Sequence, residues 1–113
     1  MSAIIELSRR LGQAIADSPQ AAAMRTAREE MNKDAAASQL LKDFREHADK
    51  IARLEDENKP IEVADKQKFR DLQARLASSE AFKKYTAAQV EYIDLMRKVN
   101  VALEQQLSAT ESD

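Results

Sequence analysis

A single histidine and its acidic neighbour are the side chains of this sequence best suited to chemistry. His47 is the only histidine, and Asp43 precedes it by one helical turn, where a carboxylate can orient the imidazole for acid–base work. The simpler interpretation, which we favour, is a polar position on a long helix. A di-metal carboxylate bundle needs a Glu-x-x-His motif from each of two helices, and a zinc site needs several such ligands. One histidine meets neither requirement.

The remaining residues offer no second route to catalysis. Acidic clusters at residues 29–30 and 55–57 lack calcium-loop spacing, so we interpret them as solvated helix surface. The absence of cysteine excludes disulfides, thiolate metal sites and cysteine nucleophiles in this chain, and a single glycine excludes a glycine-rich phosphate loop. We therefore predict that the protein is not an enzyme, that it has no catalytic, metal-binding or cofactor-binding residue, and that it has no small-molecule substrate.

Three pairs of basic residues raise the alternative of RNA binding. The pairs are Arg9 with Arg10, Lys83 with Lys84, and Arg97 with Lys98. If they converged in the folded protein, they would form a stripe for RNA phosphates. However, each pair has an acidic residue nearby, the net charge is −2, and no basic motif is interleaved with aromatic residues that stack on bases. Solvated helix faces are the favoured interpretation, and nucleic-acid binding is the alternative.

The composition predicts one small all-α domain that spans residues 1–113. Charged residues make up 34% of the 113 residues, aromatic residues make up 4%, and the chain has one glycine and two prolines. Side chains that lose little freedom in helices dominate such a composition. The longest apolar run is far shorter than the roughly 20 residues of a membrane span. We expect a cytoplasmic protein without a membrane segment.

Apolar spacing and punctuation predict about five helices. Caps and breaks at Ser18, Asp34, Pro60 and Ser79 divide the chain. The predicted helices cover about residues 4–15, 19–33, 35–57, 62–77 and 80–107. The first is a short helix with one apolar face, and the polar residues 108–113 are expected to fray.

The fifth predicted helix is apolar on more than one face. A helix of this kind cannot be satisfied by one neighbour, and in so small a chain its second face packs most simply against another copy. We therefore expect a helical-hairpin or bundle fold completed by homodimerisation. The expected self-association interface consists of Tyr85, Tyr92, Met96, Val99 and Leu103.

Several groups of residues appear in a characteristic order along the chain. An opening with Leu7, Leu11 and Ser18-Pro19 is followed by Leu40-Leu41-x-x-Phe44 and then by Ser79-Glu80-Ala81-Phe82-x-x-Tyr85-x-x-Ala88. This order, which covers nearly everything between residues 4 and 107, resembles the YlbF/YmcA family of small bacterial helical proteins, including its YheA-type members. The shared residues are caps and core positions, so the resemblance concerns architecture more than activity.

The resemblance implies an all-α, self-associated fold and a regulatory role without catalysis. Well-understood members form a complex that influences ribonuclease-dependent RNA processing and developmental programmes such as competence, sporulation and biofilm formation. Some of them contribute cysteines to iron–sulfur clusters, which this cysteine-free chain cannot do. We expect a non-catalytic regulatory or adaptor protein that binds other proteins, including ribonuclease-associated ones. The partner's identity, and the choice between a homomer and a heteromer, stay open.

Overall fold

The computed structural model describes residues 2–111, and the side chains of residues 2–110. Within this range the chain forms five α-helices and no β-strand, which confirms the predicted all-α fold with its long last helix. The helices are α1 (Ala3–Ala16), α2 (Pro19–Lys33), α3 (Ala35–Asp56), α4 (Val63–Ser78) and α5 (Glu80–Glu111). Apart from the end of α5, every boundary lies within one residue of the predicted one.

Side-chain caps explain why three of the helices begin where they do. The Ser18 hydroxyl accepts a hydrogen bond from the Ala21 amide at 3.1 Å, and the Asp34 carboxylate accepts one from the Ala37 amide at 3.0 Å. The Ser79 hydroxyl likewise accepts from an amide in the first turn of α5, at 3.3 Å. Each cap satisfies an amide that has no partner within its helix.

The last helix α5 continues to Glu111, four residues beyond its predicted end at Leu107. The fraying expected over residues 108–113 stays a prediction. Ser112 and Asp113 lie outside the described residues. Neither glycine nor proline occurs after Leu107, and polar side chains alone do not end a helix. The Thr110 hydroxyl also donates to the Gln106 carbonyl at 3.0 Å, so it bonds within the helix.

A left-handed residue ends α3 and turns the chain back on itself. Asn58 has a φ of 55°, and its amide donates to the Glu55 carbonyl at 3.1 Å. The next amide, that of Lys59, donates to the Leu54 carbonyl at 2.8 Å. This pair of bonds is a Schellman motif with asparagine in the position where glycine is commonest. Because Pro60 follows, the helix cannot resume, and α4 returns along α3 as an antiparallel hairpin.

The chain divides into two compact units, and the boundaries between them fall within α2 and α5. The terminal unit comprises Met1–Ala27 and Thr86–Asp113, and the central unit comprises Arg28–Tyr85. In the terminal unit the buried apolar residues are alanines and one methionine: Ala21, Met24, Ala27 and Ala88. In the central unit they are Met31, Ala37, Leu72 and Leu76.

Candidate functional site

His47 lies in the interface between α3 and α4. Its side chain is buried, with 5% of its surface exposed, and its Nε2 atom is 2.7 Å from the backbone carbonyl oxygen of Asp65. A carbonyl oxygen can only accept, so Nε2 is the donor in this bond. The Phe69 ring lies 6.5 Å from the imidazole and 5.2 Å from the Phe44 ring, measured between centroids. The histidine is therefore a packed and hydrogen-bonded part of the helical hairpin.

The neighbour predicted for His47 does not bond to it. The Asp43 carboxylate instead accepts a hydrogen bond from the side-chain amide of Gln39, one turn earlier, at 2.8 Å. The partner of the imidazole is the carbonyl of Asp65, 18 residues further along the chain. The imidazole donates its Nε2 proton to the main chain, and the residue also lines a charged cleft on the hairpin.

An ion pair beside the histidine joins α3 to α4. The Lys50 ammonium lies 2.9 Å from the Asp65 carboxylate, whose side chain is 14% exposed. The hydrogen bond from Lys50 is the main cause that lowers the pKa of Asp65 below its ordinary value of 3.8, and the positive charge of Lys50 acts in the same direction. The Asp65 residue thus holds the hairpin through both its carbonyl and its carboxylate.

Residues of α3 and α4 line a charged cleft of about 540 Å³ on this part of the hairpin. Its walls carry four acidic and four basic side chains: Asp43, Glu46, Asp65, Asp71, Lys50, Arg53, Lys68 and Arg75. Opposite charges are balanced, and two pairs of them, Lys50 with Asp65 and Arg75 with Asp71, are in direct contact. Among residues 2–110, no three His, Asp or Glu side chains lie close enough together to hold a metal ion.

The basic pairs considered for RNA binding are engaged by carboxylates. Five of their six cations lie within salt-bridge distance of an acidic residue: Arg9 of Glu6, Lys83 of Glu80, Lys84 of Glu30, and both Arg97 and Lys98 of Asp94. The hydrogen bonds from Arg97 and Lys98, in that order, lower the pKa of Asp94, so this carboxylate stays ionised beside them. Neutralised pairs attract phosphate less than free cations do.

The terminal unit exposes most of the apolar surface. Ten large apolar side chains are exposed among the described residues, and nine of them belong to this unit. They are Ile4, Ile5, Leu7 and Leu11 on α1, and Val90, Ile93, Val101, Leu103 and Leu107 on α5. No residue of α1 is buried, and Ile4 and Leu7 are 73% and 60% exposed. Exposed apolar patches of this kind mark interaction sites on soluble proteins.

The five residues of the predicted interface fall into both units. Tyr92, Met96, Val99 and Leu103 follow one another at steps of four, three and four, so they share one face of α5 in the terminal unit. The first three are half-buried, whereas Leu103 is 52% exposed. Tyr85 belongs to the central unit, where it lines a cavity beside α2 and α3.

The exposed face of α1 is the surface that sequence reasoning missed. The signal was present, because Ile4, Leu7 and Leu11 recur at helical spacing and predict an amphipathic helix. Such spacing shows that a helix has an apolar face, but it does not show whether that face is covered within the same chain.

The chain matches a known protein family over nearly its whole length. The family model described as "Control of competence regulator ComK, YlbF/YmcA" matches residues 4–108, which is nearly the whole chain. The chain belongs to the YlbF/YmcA family. A search of curated proteins gives no significant match to this YlbF/YmcA protein.

A solved structure confirms the fold of the YlbF/YmcA protein independently. The YlbF/YmcA protein is similar to a chain in the crystal structure of Bacillus subtilis RicA in complex with RicF, with a TM-score of 0.80. The two chains are 16% identical, and the match covers 93% of each. Among the described residues of the YlbF/YmcA protein, no helix is long and apolar enough to cross a membrane.

Proposed function

We propose that this YlbF/YmcA protein is a non-catalytic regulator that acts by binding other proteins and that self-associates through the apolar surface of its terminal unit. The single observation that carries this proposal is the distribution of exposed apolar side chains. Nine of the ten lie on α1 and the second part of α5, within one compact unit. Leu103 and Leu107 share one face of α5, and Leu7 and Leu11 share one face of α1. Each of these helices thus offers apolar side chains for contact with another helical face.

The terminal unit would be stabilised by burying its exposed apolar side chains against a partner. Its buried apolar residues are three alanines and Met24, which provide little hydrophobic stabilisation. Complete burial of one leucine or isoleucine side chain contributes about 1.5–3 kcal/mol. If a second copy covered Leu103, Leu107 and the exposed face of α1, the burial of each side chain would contribute a stabilisation of this size. These contributions would offset an association cost of roughly 4–15 kcal/mol.

The interface we propose extends the one predicted from the sequence. Tyr92, Met96, Val99 and Leu103 form its line along α5, and Leu107 continues that line by one more turn. We propose that the exposed face of α1, which belongs to the same unit, supplies a further part. A twofold dimer would present this surface twice, so each substitution in it acts at two places.

The family supports the regulatory part of the proposal. Its description names control of a competence regulator, and the solved structure with a similar fold is that of RicA in complex with RicF. We propose that this chain likewise acts by protein contact, in the cytoplasm, on proteins associated with RNA processing. Direct RNA binding is the less favoured function, because five of the six paired cations lie within salt-bridge distance of a carboxylate.

A comparison of two aspartate variants by analytical ultracentrifugation tests self-association. In Leu103→Asp, a charge replaces an exposed side chain of the proposed interface, and we expect the dimer dissociation constant to rise by at least about tenfold. The matched control is Val63→Asp, because Val63 is also an exposed large apolar residue but lies in the central unit. Wild type and control should sediment as dimers at micromolar concentration.

Two results would contradict the proposal. A monomeric wild type at these concentrations would show that the apolar surface does not support self-association. Equal weakening by both substitutions would show that the interface is not confined to the terminal unit. Circular dichroism of each variant ensures that lost helix content is not mistaken for lost association.

A further inference from the structure

A second apolar surface lies in the central unit, along the α3–α4 hairpin. It is an open groove of about 470 Å³ whose apolar lining includes Ile51 on α3, Ile61 in the connecting loop and Phe69 on α4. All three side chains are half-buried, so each still presents part of its surface to the groove. We refer to this feature as the hairpin groove.

The charged residues on the two walls of the hairpin groove differ in sign. Lys66 and Arg70 line the α4 side and are one helical turn apart, whereas Glu55 lines the α3 side. None of these three side chains has an oppositely charged group within 4.0 Å among the described residues. In the charged cleft, by comparison, two of the four basic residues, Lys50 and Arg75, are ion-paired.

This charge pattern specifies the occupant of the groove. We propose that the hairpin groove binds an amphipathic helical segment of a partner protein, with large apolar side chains inserted over Phe69 and carboxylates facing Lys66 and Arg70. The proposal rests on the protein-binding function proposed above and names the chemistry of the partner. An apolar floor supplies affinity in helix-in-groove recognition, and complementary charges at the rim select the partner and its orientation.

The hairpin groove and the proposed self-association surface share no residue. Its lining residues belong to the central unit, whereas the exposed faces of α1 and the second part of α5 belong to the terminal unit. Substitutions in the groove therefore alter no residue of the proposed self-association surface, so the two proposals can be tested separately.

Fluorescence anisotropy with two designed peptides tests the proposal on the full chain. Both fluorescein-labelled peptides carry leucines at helical i and i+4 spacing over about 14 residues, with glutamates along the polar flank of one and lysines along that of the other. Wild type should bind the glutamate peptide at least about tenfold more tightly than the lysine peptide. The double variant Lys66→Glu/Arg70→Glu should reverse this preference.

Two further variants locate the binding. Ala52→Gln places a larger neutral side chain at an exposed position that lines the groove, so it should weaken both peptides without changing the preference between them. The matched control is Lys42→Glu/Arg45→Glu, which reverses two exposed cations of α3 that line a different cavity. It should leave the binding of the glutamate peptide within about twofold of wild type.

Each contrary result overturns the groove assignment. Equal affinity of wild type for the two peptides would remove the charge argument, as would a dissociation constant above about 1 mM for both. An equal loss in the control double variant would place binding elsewhere, and unchanged binding by Ala52→Gln would exclude the groove itself. Ultracentrifugation of the same variants reports self-association separately, so failure of the groove and failure of the proposed dimer are distinguishable.

Discussion

At the scale of single residues, His47 is the side chain whose role differs most from the chemistry that its imidazole could perform. An imidazole with a nearby carboxylate is suited to proton transfer, yet this one is buried and donates to the main chain of the neighbouring helix. A buried polar group stabilises the fold only when its hydrogen bond is made, and the Asp65 carbonyl supplies that bond. His47 therefore specifies how α3 and α4 are aligned.

Replacement of the histidine should destabilise the protein. We expect His47→Ala to lower the free energy of unfolding by about 2–3 kcal/mol, because it removes a buried hydrogen bond and leaves a cavity beside Phe69. Urea denaturation followed by circular dichroism measures the change. Asp43→Ala, a change to the neighbour that does not bond to the imidazole, should cost less than about 1 kcal/mol. Equal costs for the two variants would refute the packing role.

At the scale of elements, the α3–α4 hairpin is held by contacts that act across the two helices. The Schellman motif at Asn58 reverses the chain, the Phe44 and Phe69 rings pack, and the Lys50–Asp65 ion pair closes one side. The ion pair has a consequence for pH dependence, because its hydrogen bond lowers the pKa of Asp65 in the folded state.

The stability of the hairpin should fall in acid. Asp65 binds its proton more weakly when folded, so the stabilisation is fully present above the ordinary value of 3.8 and is lost as the pH falls through the lower, folded pKa. Denaturation across this acid range should show wild type losing stability faster than Asp65→Asn. Lys50→Met should remove most of the same pH dependence. A wild-type slope no steeper than that of Asp65→Asn would contradict this.

At the scale of the whole molecule, the two units differ in how well their own side chains stabilise them. The central unit buries Leu72 and Leu76 together with His47. Among its described residues, the terminal unit buries alanines and one methionine and exposes nine large apolar side chains. Small units bury too little surface to be stable by a wide margin. Self-association would supply the missing apolar burial for the terminal unit.

Stability should consequently depend on protein concentration. For a protein that folds as a dimer, mass action raises the melting temperature as the concentration rises. Between about 1 and 100 µM we expect the wild-type Tm to increase by several degrees, and that of Leu103→Asp to change much less. Differential scanning calorimetry at several concentrations provides the measurement. A constant wild-type Tm over this range would argue for a monomer that is stable alone.

The sequence by itself determined the helices and the chemistry that this chain lacks. The caps at Ser18, Asp34 and Ser79 bond to amides only three residues away, so local sequence is enough to place the starts of α2, α3 and α5. The absence of cysteine excludes disulfides and thiolate metal sites in this chain, because no fold can supply a missing side chain. A single glycine likewise excludes a glycine-rich phosphate loop. The end of α5 was less predictable, since no stop signal marks it.

Only the tertiary structure decided which surfaces meet and which stay open. The bond from His47 to Asp65 spans 18 residues, and the hairpin groove exists only because α3 and α4 return along each other. Apolar spacing places Ile4, Leu7 and Leu11 on one face of α1, but their exposure depends on what packs against that face. The physical reason is that periodicity describes one helix, whereas burial depends on the positions of its neighbours.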